Sequence, residues 1–372
     1  MRDTTAISDF GLGWLEGSGP HANVVLSTRV RLARNLQGHA FNTRTRDAER
    51  NQIFERVRQA VERSDIKGGM AFDLAALSLN SRKVLHERHL VSRELAGIGA
   101  EAPVQGAGLL IGPKDAVSVM VNEEDHLRMQ ALLAGLRLRD AYRSVDRLDE
   151  ELGAQLPFAY HHEYGYLTSC PTNVGTGLRA SILIHLPGLV LTKEIGRVLQ
   201  GIAQLGLTFR GLYGEGSEVV GNFFQISNQT TLGRSEEDLI DHLDKTVAQV
   251  IEHELGAREI LMRDAPTVIE DKIWRAYGLL RYARSLSFEE VMNLLSGVRL
   301  GLSLNIVSGL RVYTLNKIMI YGQDAHLEQA AGRPLSEAEN DFHRAAYVRR
   351  ILTAEGEITP DAGGGSPRPA DA

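Results

Sequence analysis

The sequence predicts an α+β unit followed by an all-helical unit and a disordered tail. Over the first two thirds, runs that alternate apolar and polar residues are interleaved with runs at helical spacing. Beyond about residue 263 strand signals fade and helical segments follow one another. From residue 355 the composition turns to Gly-Gly-Gly-Ser-Pro-Arg-Pro, which cannot build a core. The boundaries therefore read as 1–262, 263–354 and 355–372. A helical unit of that size is expected to complete its core against a second copy, as a homodimer.

The first strand covers 23–33, where period-2 alternation puts Arg29 and Arg31 on one face and Val30 and Leu32 on the other. Two like charges side by side repel, so an anion is expected to meet them. A solvated edge strand guarded by arginines is the alternative. Residues 46–64 read as an amphipathic helix with Ile53, Val57 and Val61 in one stripe, and 74–95 as helical in part. His86 and His89 stand three apart there without further ligands, the pattern of a surface helix more than of a metal site. A strand over 117–121 ends at Asn122-Glu-Glu-Asp125, whose carboxylates suit the first turn of a helix over 126–138.

Strands over 164–168 and 180–186 flank a turn of proline and glycines that opens on Cys170 and closes on Arg179. The pair His161-His162 before it reads as loop. A helix over 195–205, a glycine-rich loop over 209–218 and a strand over 222–227 follow, and Ser235 with Asp238 caps a long helix striped with Leu239, Leu243, Val247 and Val250. The helical unit reads as 268–282, 288–300, 304–321 and 337–352, with Ser287 and Ser336 as caps.

A formal charge of −6 over 372 residues gives no reason to expect nucleic-acid or membrane binding. One cysteine excludes an intramolecular disulfide and suits a reducing compartment. The N-terminus lacks the apolar core of a signal peptide, and the most apolar run, 182–191, is too short to span a bilayer. A cytoplasmic location is expected.

The strands and loops thus offer Arg29, Arg31, Arg128, Arg179 and Arg210 beside two carboxylate loops and one thiol. Phosphoryl transfer needs that inventory, because its catalysis is mostly alignment and charge neutralisation of a polyphosphate. Arginine supplies forked donors that match phosphate oxygens.

Three stretches, Ser27-Thr-Arg-Val-Arg31, Asn122-Glu-Glu-Asp-His-Leu-Arg128 and Cys170-Pro-Thr-Asn-Val-Gly-Thr-Gly-Leu-Arg179, resemble the signature motifs of the guanidino phosphotransferases, the creatine and arginine kinase family. The loop Tyr213-Gly-Glu-Gly-Ser-Glu218 and the helical last third resemble the bacterial branch that phosphorylates arginine in proteins. The resemblance implies a large, mainly antiparallel sheet flanked by helices, with ATP and Mg²⁺ as cofactors. It implies that Ser27, Arg29, Arg31, Arg128, Arg179 and Arg210 bind the nucleotide, that Glu124 is the catalytic base, that Glu215 clamps the guanidinium, and that Cys170 is the family's reactive cysteine. No dedicated metal ligands are expected, Mg²⁺ being held by nucleotide and water.

A guanidinium has a pKa above about 12, so its nitrogen attacks only if a proton is withdrawn as the phosphoryl group arrives. Two carboxylates would grip the planar fork and accept that proton, and a thiolate at Cys170 would add a third negative contact. Creatine and arginine kinases carry a helical domain before the first motif, whereas about two dozen residues precede Ser27 here. An open site is then expected, suited to an arginine projecting from a protein.

The branch also has a second pocket that senses phosphoarginine. Asp341 and Arg344 match it, while Asn340 replaces an arginine. By resemblance only, the partners would be a Clp-type unfoldase, an activator protein and a repressor of heat-shock genes, in protein quality control. Two other readings stand beside protein-arginine phosphorylation: a kinase of a free guanidino compound such as arginine, and a non-catalytic arginine-binding adaptor.

Overall fold

The computed structural model describes residues 9–41, 46–99, 105–113, 116–212, 219–355 and 359–360. In chain order its first unit runs β1 (Val25–Arg34), α1 (Asp47–Val61), β2 (Met70–Asp73), α2 (Leu79–Glu87), β3 (Gly108–Ile111), β4 (Val117–Val121), β5 (Leu127–Ala134) and α3 (Leu138–Gly153). It continues through β6 (Tyr160–His161), β7 (Gly165–Tyr166), β8 (Leu178–His185), α4 (Pro187–Leu191), α5 (Ile195–Gln204), β9 (Leu207–Arg210), β10 (Phe223–Asn228) and the long α6 (Glu236–Asp264). Then come α7 (Pro266–Tyr282), α8 (Phe288–Ser303), β11 (Val307–Ser308), α9 (Val312–Tyr321), α10 (Asp324–Ala331), α11 (Glu337–Ala354) and β12 (Thr359–Pro360).

Eight strands form one sheet in the order β2-β3-β4-β5-β1-β8-β10-β9. Every neighbouring pair is antiparallel. The alternation along β1 decides what each face meets. Val30 and Leu32 point to the side where Met129, Ala131, Ala180 and Ile182 also lie, and α1, α3 and α6 bury that side with Ile53, Val57, Val145, Leu148, Leu243 and Val247.

Arg29 and Arg31 point to the other side. One end of that second face, at Leu132, Leu183 and Phe223, is covered by Trp14, Leu15 and the apolar faces of the C-terminal helices. Its β2–β4 end is covered by the α2 segment through Val84, Leu85, Leu90 and Leu95. Between the two covers the sheet stays open.

Several segments depart from the sequence reading. The stretch 126–138, expected as a helix, is the strand β5, and the helix begins only at Leu138. Asn122 sits at φ +58, and its amide donates to the carbonyls of Arg50 and Gly106, each at 2.9 Å. The acidic run is consequently a hairpin turn between β4 and β5, and pairing on both edges overrides the helix propensity of Leu-Arg-Met-Gln-Ala-Leu-Leu-Ala. The segment 304–321 is also not one helix: Asn305 at φ +57 and Gly309 at φ +81 break it, and only Val312–Tyr321 is helical.

Glu355 and β12, expected as the start of a disordered tail, are tied down. Glu355 accepts from Arg311 at 3.0 Å, and β12 pairs with β11. The rest of the tail from 361 lies outside the described residues. Among those residues no helix is long and apolar enough to cross a membrane.

Buried ionic joints hold the helical part to the sheet. Glu254 of α6 accepts from the amides of Gly188 and Leu189, both at 2.9 Å, and pairs with Arg258 at 2.6 Å. Arg258 reaches Ser303 on α8, and Arg299 of α8 donates to the carbonyl of Ala22 at 3.0 Å. Within the helical part, Arg344 is 2% exposed and donates to the carbonyls of Gly322 and Leu286 at 2.7 and 2.8 Å. It also pairs with Asp341 at 2.6 Å and Asp324 at 2.5 Å. Asn340 is buried beside it on α11.

Removing Arg344 leaves two carbonyls and two carboxylates without their donor. Arg344→Ala is expected to lower the unfolding free energy by about 3 kcal/mol in a denaturant titration, with Arg344→Lys recovering less than half of the loss.

Candidate active site

Strand register builds the cationic floor of the open face. Arg31 stands opposite Arg179 on β8 and Gln130 on β5, and Arg29 opposite Ser181. Arg128 stands opposite Ala33, and Arg210 opposite Gln225. Directly opposed residues share a face, so all five arginines open on one cavity of about 950 Å³. Ser27 shares that face and lines a small recess beside Arg29.

The floor is short of negative charge. Burial, then the charges of Arg128 and Arg179, lower the Arg29 guanidinium to about 10. Burial and the charges of Arg29, Arg128 and Arg179 hold Arg31 well below its ordinary value, with Glu123 opposing them. Arg29 remains a cation at neutral pH, and the mutual charge effects at both residues express a repulsion that a bound polyanion would relieve.

The hairpin between β4 and β5 supplies the carboxylates. Glu123 pairs with Arg128 at 2.7 Å with 6% of its side chain exposed, whereas Glu124, 3.1 Å from the same arginine, is 43% exposed on the cavity. Glu123 is therefore committed to the floor and Glu124 is accessible to a ligand. Burial raises the Glu124 carboxyl, Asp125 and Glu123 add to the rise, and Arg128 opposes it.

Cys170 enters from the opposite wall on the β7–β8 turn. Its Sγ lies 3.0 Å from Thr172 Oγ1. Gly175 and Gly177 take φ +113 and +66, and a Cβ on Gly177 would lie 2.6 Å from the carbonyl oxygen of Ala33. Only glycine lets the turn lie that close to β1. The turn is anchored from behind by buried Arg34, which donates to the carbonyl of Thr176 at 2.8 Å, pairs with Asp149 at 2.7 Å and lies 3.4 Å over the Tyr166 ring.

Three residues lock hairpin and turn together. Asn35 Nδ2 donates to Asp125 Oδ1 at 2.7 Å, its Oδ1 accepts from the amide of His126 at 2.9 Å, and Asp125 Oδ1 also accepts from the amide of Ser169 at 2.7 Å. His126 Nδ1 accepts from Leu36 N, which leaves its Nε2 to donate to the carbonyl of Ala40, each at 3.0 Å. The ring is thus neutral, and burial lowers its pKa accordingly.

The structure brings Ser27, Arg29, Arg31, Glu124, Arg128, Cys170, Arg179 and Arg210 to one face, while Glu215 lies outside the described residues. Asn340, Asp341 and Arg344 are elsewhere, on α11. Sequence reasoning missed Asn35, His126 and Gln130, and treated His86 and His89 as a surface helix although both line the cavity. The signal for Asn35 was its place directly after the arginine strand, but periodicity does not identify such a residue.

A cationic face for a polyphosphate, with a carboxylate and a thiol on facing walls, defines a phosphotransferase acting on a cationic acceptor. Residues 52–257 match the family model described as ATP:guanido phosphotransferase, C-terminal catalytic domain, and the chain belongs to that family. Residues 266–361 match the model described as the protein-arginine kinase McsB C-terminal domain.

A protein-arginine kinase of Moorella thermoacetica is 45% identical over 343 residues, 91% of this chain and 97% of that protein. One of Bacillus mycoides is 43% identical over 345 residues, 92% and 96% respectively. Among solved structures, lombricine kinase superposes with TM-score 0.55 at 23% identity, over 62% of this chain and 66% of that one. The substrate-free duplicated taurocyamine kinase of Schistosoma mansoni superposes with TM-score 0.56 at 26% identity, over 78% and 41%.

The raised Glu124 carboxyl gives its expected role as base a testable consequence. A base must be ionised, so kcat/KM is expected to fall as pH drops through a Glu124 pKa that burial raises from its ordinary value, and this acid limb should vanish in Glu124→Gln, as read from a pH–rate profile.

Proposed function

We infer that the chain is a protein-arginine kinase that transfers the γ-phosphoryl group of ATP to a guanidinium nitrogen of an arginine side chain in a protein. One observation carries the reading: Glu124 is the carboxylate of its hairpin exposed to the cavity, facing the arginines that strand register gathers on its floor. In this reading the triphosphate lies on Arg29, Arg31, Arg128, Arg179 and Arg210 with Ser27 at the margin. The substrate guanidinium lies between Glu124 and Cys170, with Glu215 as clamp.

Glu124 takes a proton from the attacking nitrogen, the N–P bond forms as the bond from Pγ to the β-phosphate oxygen breaks, and ADP leaves. The positive floor stabilises the charge spread over the transferring oxygens. Mg²⁺ would travel with the nucleotide, held by its phosphates and water.

A protein acceptor is favoured over free arginine by the names of the relatives, which align along nearly their whole length. We further propose that 1–262 is the catalytic unit, that 263–354 pairs two copies into a homodimer, and that the enzyme works in the cytoplasm. There it would mark proteins for quality control with a Clp-type unfoldase, an activator and a heat-shock repressor. Phosphoarginine sensing at Asn340, Asp341 and Arg344 would have to draw on donors that Arg344 now gives to its internal partners.

Incubated with ATP, Mg²⁺ and an unfolded basic protein, the enzyme is expected to place acid-labile phosphate on arginine, with incorporation falling about 10³-fold in Glu124→Gln. Phosphate on serine, undiminished incorporation in Glu124→Gln, or equal turnover of free arginine would contradict the assignment.

A further inference from the structure

We propose that Asn35 is a positioning residue for the transfer, holding the Glu124 hairpin and the Cys170 turn in one frame through Asp125. The proposal rests on the assignment of Glu124 as base and Cys170 as the facing wall. Asn35 is 1% exposed and does not line the cavity, so its effect must pass through the groups it binds. Its carboxamide is used on both sides. Nδ2 donates to Asp125 Oδ1 at 2.7 Å and to the carbonyl of Leu167 at 3.2 Å, and Oδ1 accepts from the amide of His126 at 2.9 Å.

Those partners bracket the chemistry. Asp125 and His126 directly follow Glu124, and Leu167 precedes Cys170 by three positions. Asp125 closes the circuit, because the oxygen that receives the Asn35 amide also receives the amide of Ser169, the residue before Cys170, at 2.7 Å. The backbone of Asn35 adds a fourth tie, its carbonyl accepting from Ala159 N at 2.7 Å at the start of the hairpin that leads into the turn. Asn35, at the end of the arginine strand, therefore ties the hairpin of the base to the turn of the thiol.

The chemistry of the position selects asparagine. Asp125 is fully buried, its other oxygen has no hydrogen-bond partner among the described residues, and it is held by two uncharged N–H groups. Such a carboxylate depends on each donor it has. Aspartate at 35 would set carboxylate against carboxylate, serine falls short of both partners, and leucine would strand the amide of His126 and the carbonyl of Leu167. An amide presents a donor to Asp125 and an acceptor to His126 in the same plane.

The phosphate floor is placed by strand pairing and not by Asn35, so the proposal separates turnover from nucleotide affinity. In Asn35→Asp, kcat is expected to fall about 100-fold while the Kd of ATP, read by calorimetry, changes less than about threefold. Cys170 is the single cysteine of the chain, so alkylation of the intact protein by iodoacetamide reports the turn without reference to activity. Its rate is expected to rise at least about threefold.

Turnover and alkylation unchanged in Asn35→Asp would overturn the proposal. If Asn35→Asp does not fold or bind ATP, Asn35→Ser carries the same test: reduced kcat with faster alkylation supports the tie, and wild-type values for both refute it. Loss of the base assignment would show instead as full turnover in Glu124→Gln, leaving the alkylation results to judge the tie alone.

Discussion

Guanidinium groups crowded on one face of an antiparallel sheet repel one another, and the register of β1 with β5 and β8 holds them there regardless. Arg31 faces Arg179 directly across the ladder, and Arg29 lies two pairs along on the same face. Side-chain contacts alone would let such a cluster splay. Backbone hydrogen bonds on both edges of β1 and the apolar packing behind Val30 and Leu32 prevent it. The fold thus holds an unfavourable charge arrangement that a polyanion would relieve. In the proposed reading the phosphates of the nucleotide take that place, and the acceptor's walls are built separately on two loops.

Those loops illustrate how a rigid sheet lends precision to irregular backbone. The hairpin around Glu124 depends on the left-handed Asn122 and its amide bonds, and the Cys170 turn on Gly177 against Ala33 and on Arg34 beneath. Each is fixed to β1 or to the strands beside it. The helical part packs on the same sheet face, in one apolar cluster with Trp14, Leu183 and Phe223.

Much of this was readable in the residues. The alternation in 23–33 gave the arginine face, the glycines after Cys170 gave a loop between strands, and capping residues Ser235, Ser287 and Ser336 marked three helices that the structure contains. The failure at β5 has a non-local cause. The run after Asp125 has helix-forming residues, yet neighbours on both edges make it a strand, and pairing across sequence distance leaves no local trace. The position of Asn35 is clear only in three dimensions, since its partners lie about 90 and 130 residues away. His86 and His89 likewise needed the fold to show that they face the cavity.

In the proposed arrangement one cavity aligns a substrate guanidinium, held between Glu124 and Cys170, with a phosphoryl group held by arginines on the sheet. A structure with ADP, Mg²⁺, nitrate and an arginine-containing peptide is the decisive measurement, nitrate standing in for the phosphoryl group in transfer. The peptide guanidinium is expected within about 3 Å of a Glu124 oxygen, with nitrate in hydrogen-bond reach of the sheet arginines. A guanidinium bound away from Glu124, or a nitrate touching none of those arginines, would contradict it.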